Sequence, residues 1–102
     1  MSTQEAQYDY RKFAILYVDD EAQSLKAFAR AFGDDFRIFT AINAQEGVKL
    51  LEEKKDEIAI LMTDQRMPGE KGTWLLERAR AITPSTLRFL VKIGRASCRE
   101  RV

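Results

Sequence analysis

Three aspartates carry most of the chemistry available to this sequence. Asp19 and Asp20 directly follow the apolar run of residues 13–18, and Asp64 follows closely on the run of residues 58–62. There is no histidine, and the single cysteine, Cys98, excludes both an internal disulfide and a cysteine-built zinc site. Chemistry therefore falls to carboxylates, hydroxyls and lysines. Carboxylates gathered at one place repel each other, which raises the cost of ionising them, and a divalent cation relieves that cost. Oxygen ligands without nitrogen or sulfur favour a hard ion, and a few carboxylates with room for water suit Mg2+. Such an ion can bridge a carboxylate nucleophile and a phosphoryl oxygen. The competing reading is that these are solvated turn residues, since Asp is common where strands give way to loops. Their repetition at the ends of two apolar runs favours a site. Glu21 has two open readings: near the ion through water, or favouring the start of a helix.

Positioning these acids requires strands that end together. Short continuous apolar runs such as FAILYV (13–18) and Ile58 to Met62 suit strands buried on both faces of a parallel sheet. Between them, Leu25, Phe28, Ala29 and Phe32 form one helical stripe that Gly33 stops. Phe36 to Ala41 has the β-branched and aromatic character of a strand. Asn43 then caps a helix, with Glu46 in capping-box position and Ala44, Val48 and Leu51 facing inward. The charges of Glu52 to Glu57 read as its solvated end. After a loop holding Met67, Pro68 and Gly69, the stripe Leu75, Leu76, Ala79 and Ile82 predicts a third helix, broken at Pro84, and Leu87 to Val91 a fourth strand. Trp74 reads as half-buried packing. The alternation β-α-β-α-β-α-β predicts an α/β fold with a parallel sheet and helices on both faces. Ligands of such sheets bind outside the carboxyl ends of the strands, where Asp19, Asp20 and Asp64 stand.

The bulk properties are those of one ordinary globular domain: 102 residues, 45% hydrophobic and 32% charged. A formal charge of +1 supplies no field for direct nucleic-acid binding. Neither a signal peptide nor a membrane-spanning apolar run is present, so the expected location is cytoplasmic.

The segments ILYVDDE (15–21) and LMTDQRMPG (61–69) resemble the two signature segments of response-regulator receiver domains, and the interval of 44 from Asp20 to Asp64 matches that family. The resemblance covers residues 13–91. It implies a flavodoxin-like doubly wound parallel sheet and a two-component signalling role, in which the module is a regulatory phospho-acceptor and not an enzyme. By the same resemblance, Asp64 accepts the phosphoryl group from a partner histidine kinase or phosphotransfer protein. Mg2+ is then held by Asp20 directly, by Asp19 directly or through water, by Asp64 and by the backbone carbonyl of Arg66. Pro68 and Gly69 shape the loop. The implied partners include a C-terminal output domain, and the family leaves room for a homodimer. The stretch RMPGEKGTWLLERAR resembles receivers that precede cyclic-dinucleotide phosphodiesterase, kinase or transcriptional modules. Two alternatives stand beside this: a receiver-like interaction domain independent of phosphorylation, and an aspartate-nucleophile phosphatase. The latter expects DxDxT where this chain has DDEAQ.

The chain departs from the family after Val91. A complete receiver has five strands and five helices, with a hydroxyl residue ending strand four and an aromatic and a lysine on strand five. Here four strands and three helices are expected, so the fold is incomplete. Lys92 follows strand four and is not the family lysine. Residues 93–102, IGRASCRERV, resemble the translation of a sequencing adapter, so 92–102 is expected to be a non-native tail behind a partial receiver at 13–91 and a flexible arm at 1–12. Setting aside Lys92 and the net +2 of residues 93–102 leaves −2 on residues 1–91.

Overall fold

The two continuous apolar runs become the middle of a parallel sheet, because only strands covered on both faces can bury every residue. In the computed structural model, which describes residues 13–91, the elements are β1 (Ala14–Val18), α1 (Ala22–Phe32), β2 (Arg37–Ala41), α2 (Ala44–Glu53), β3 (Ile58–Asp64), α3 (Gly72–Ile82) and β4 (Leu87–Val91). The expected arm at 1–12 and tail at 92–102, with Lys92 and Cys98, lie outside the described residues. All strand pairs are parallel and the order is β2-β1-β3-β4, so the chain reverses its direction of growth between β1 and β3. That reversal is the switch point at which the doubly wound class places its ligands.

Side-chain alternation along β1 separates the two faces of the sheet. Ala14, Leu16 and Val18 join Leu61 of β3, Ala44 and Leu51 of α2, and Leu75 and Ala79 of α3 in the main core. Helices α2 and α3 pack against one another on this face. Gly47 permits the approach: a Cβ there would stand 3.2 Å from both Leu75 and Val18 side chains. The other face carries Ile15 and Tyr17 and, among the described residues, is covered by α1 alone, through the stacking of Phe28 on Tyr17. No residue of α1 is fully buried, and Phe32, expected on its inner stripe, is 42% exposed. The stripe is real, but only the sheet covers it.

Local signals hold closely. Asn43 caps α2 by accepting the Glu46 N–H on its side-chain oxygen at 2.8 Å. Gly33 ends α1 with right-handed geometry, φ −65°, so its role is a stop and not a left-handed cap. Strand β3 runs two residues past its apolar run, because Thr63 and Asp64 still pair with Leu90 and Val91 of β4. Trp74 is half-buried, with the Arg78 guanidinium 5.9 Å from its ring centroid. A buried pair of hydroxyls, Thr83 and Thr86, fixes the approach to β4, with Thr86 donating to the Ile58 carbonyl at 2.8 Å. No helix among the described residues is long and apolar enough to cross a membrane.

Candidate functional site

Parallel pairing of β1 with β3 brings both carboxyl ends to one edge of the sheet, Val18 lying opposite Thr63. The residues that follow are thereby neighbours. Asp19, Asp20 and Asp64 each present a carboxylate oxygen, and these three atoms lie within 4.8 Å of one another. Asp19 is buried, while Asp20 and Asp64 are half-buried. This set contains only carboxylate oxygens and has one side open to solvent, the chemistry a hard divalent cation takes.

The first acid is held on both oxygens. Asp19 Oδ1 accepts the Glu21 N–H at 3.0 Å, and Oδ2 accepts the Tyr17 phenol at 2.9 Å. Burial, that bond and the negative charges of Asp19, Asp64 and Glu21 push the Tyr17 phenol above its ordinary range, so it acts as a donor. The Asp64 carboxyl is also pushed up, first by burial and then by the charge of Asp19, with Asp20 adding to the effect. The backbone N–H groups of Arg66 and Gln65 bond to it and pull the other way. A cation among these acids would reverse the repulsion that raises Asp64, leaving its carboxylate available as a nucleophile.

The loop after β3 is anchored at several points. Met67 is buried, and Gly69 adopts φ +83°, a turn conformation that glycine reaches without strain. Pro68 is exposed beside it. The Arg66 side chain is exposed as well, while its backbone lies against the Asp64 carboxylate. Glu21 stands at the N-cap of α1, accepts from Ser24 Oγ at 3.3 Å, and is outside the three-carboxylate cluster.

Three participants escaped the sequence reading. Tyr17 looked like one more member of an apolar run, although residues two apart in a strand share a face and Tyr17 stands two before Asp19. Gln65 caps α3 from a distance, its side-chain carbonyl accepting the Thr73 N–H at 2.9 Å. Gly72 sits so close to the Asp64 carbonyl and to Leu90 that a Cβ would collide with both. No local pattern marks the last two.

No family model matches the chain. The chain is 38% identical over 77 residues to the hydrogenase transcriptional regulatory protein HoxA of Bradyrhizobium diazoefficiens, covering 76% of this chain and 16% of that protein. It is 32% identical over 81 residues to HoxA of Cupriavidus necator, covering 79% of this chain and again 16% of the relative. The chain therefore spans about one sixth of the length of these curated relatives. The solved response regulator receiver domain protein from Clostridium thermocellum superposes with a TM-score of 0.75 at 26% identity, covering 84% of this chain and 70% of that one. Signature segments, a β2-β1-β3-β4 parallel sheet with helices on both faces, and these similarities agree: through residues 13–91, the chain belongs to the response-regulator receiver domains, with their flavodoxin-like fold.

Proposed function

We propose that this receiver accepts a phosphoryl group on Asp64 in an Mg2+-dependent reaction. The observation that carries the proposal is the convergence of three carboxylates from two strand ends within 4.8 Å, in a setting that disfavours the negative charge of Asp64. Asp19, Asp20, Asp64 and the backbone carbonyl of Arg66 would hold the ion. When bound, Mg2+ supplies neutralisation of charge between the attacking carboxylate and the phosphoryl oxygens. An Asp64 carboxylate oxygen attacks phosphorus, and the bond from phosphorus to the donor's imidazole nitrogen breaks, the nitrogen keeping the electron pair. The product is an acyl phosphate on Asp64. The donor is a histidine kinase or a phosphotransfer protein in the cytoplasm.

The module's role is regulatory, its output carried by a domain beyond residues 13–91. Similarity to two transcriptional regulators supports a transcriptional output. Incubation with Mg2+ and a small acyl-phosphate donor is expected to add one phosphoryl mass, labile to base and absent in Asp64→Asn. Turnover of many phosphoesters would instead favour the phosphatase, and a chain that binds its partners without ever being labelled would favour the interaction domain.

A further inference from the structure

The hydroxyl of Tyr17 is the one side-chain donor in β1, and it is spent on an acid of the candidate metal site. Its ring lies on the α1 face of the sheet, stacked on Phe28 at a centroid separation of 4.5 Å and 26° between planes. Phe28 in turn meets Phe32 at 4.8 Å. The phenol reaches Asp19 Oδ2 at 2.9 Å in a buried bond. Asp19 also takes the Glu21 N–H on Oδ1, from the residue that caps α1. A carboxylate has about four acceptor directions, so these two bonds leave one on each oxygen for an ion or its water. They also remove the freedom of Asp19 to turn about its terminal torsion. The backbone bond alone holds one oxygen; the phenol holds the other.

Resting on the assignment of Asp19, Asp20 and Asp64 as the Mg2+ site, we propose that Tyr17 is a positioning residue for that site, orienting Asp19 from the α1 face and tying ion binding to the docking of α1. A phenylalanine at position 17 keeps the ring on Phe28 and deletes only the oxygen. Asp19 Oδ2, buried with its residue 2% exposed, then loses the donor that aims it. Partners that orient a metal ligand are commonly worth about tenfold or more in metal affinity.

The test is a titration of the full 102-residue chain with Mg2+, read as the rise in melting temperature and as the near-ultraviolet tyrosine difference spectrum. In the wild type, Mg2+ is expected to raise the melting temperature and to perturb a tyrosine signal that Tyr17→Phe abolishes. Tyr17→Phe is expected to weaken Mg2+ binding by about tenfold. Placed in Asp19→Ala, which removes both carboxylate oxygens, the same substitution is expected to change affinity by less than about twofold, because a residue acting through Asp19 has nothing left to orient. Phe28→Leu keeps the hydroxyl and loosens the docking of α1 on the Tyr17 ring, and is expected to lower the metal-free melting temperature and to weaken Mg2+ binding, though by less than Tyr17→Phe does. Unchanged affinity in Tyr17→Phe, or an equal loss in the Asp19→Ala background, overturns the positioning role while leaving the Mg2+ site intact. A wild-type chain indifferent to Mg2+ overturns the site itself.

Discussion

Protonation of Asp64 favours the folded chain, because burial and the charge of Asp19 raise its carboxyl above the ordinary value. A raised folded-state value means that the native state holds the proton more tightly than the unfolded state does. The contribution to stability is full below the unfolded-state value, about 3.9 for Asp, and is lost as pH rises through the raised value. In metal-free solution near neutrality the Asp64 charge therefore opposes folding. Asp64→Asn is expected to melt higher than the wild type at pH 7 without Mg2+, with the difference shrinking as the solution is acidified. Added Mg2+ is expected to stabilise the wild type and to stabilise Asp64→Asn much less. Melting curves across pH, with and without the ion, check both signs; a metal-free Asp64→Asn chain that melts lower at pH 7 contradicts them.

Helix ends position the site, and their contributions differ in kind. Asn43 caps α2 through an exposed bond to the Glu46 N–H, a local device whose loss in Asn43→Ala is expected to cost about 1 kcal/mol without touching Asp64 chemistry. Gly72 opens α3 against the carbonyl of Asp64 itself and against Leu90. Alanine there would gain about 1 kcal/mol of helix propensity. A clash with backbone, which cannot rotate away, opposes that gain at roughly 1–3 kcal/mol. Overpacking is expected to win. Gly72→Ala should destabilise the chain in urea and slow labelling of Asp64, whereas Asn43→Ala should lower stability alone. Equal labelling rates in the two variants would show that Gly72 does not set the acceptor's position.

Across the whole molecule the two faces of the sheet are unequally covered. The α2–α3 face holds the main core, while on the other face Leu87 is 58% exposed and Phe89 49% exposed, with Phe13 at 51% nearby in sequence to β1. Among the described residues β4 pairs only with β3, so an edge of unpaired backbone adjoins these apolar side chains. Exposed apolar area beside a strand edge promotes association. The chain is expected to scatter light increasingly with concentration at neutral pH, and Phe89→Lys to reduce that scattering without altering the Asp64 site. A wild type that stays monomeric over the same range removes the basis for this expectation.

Periodicity and short-range chemistry were enough to determine the strands at β1 and β3, the Asn43 cap, the stripes of α1 and α3, and the arrival of Asp19, Asp20 and Asp64 at one edge. Each of these depends on residues a few positions apart, or on the rule that parallel strands end together. Only the tertiary structure decided that Tyr17 aims Asp19, that Gln65 caps α3, that Gly72 must be small, and that Phe32 stays partly in solvent. The Tyr17 bond is local in sequence, yet its value comes from burial and from Phe28 of α1, stacked on the same face of the sheet. Gly72 is defined by a carbonyl eight residues back and by a leucine on another strand. Such constraints come from packing between elements, whose distances no local pattern encodes.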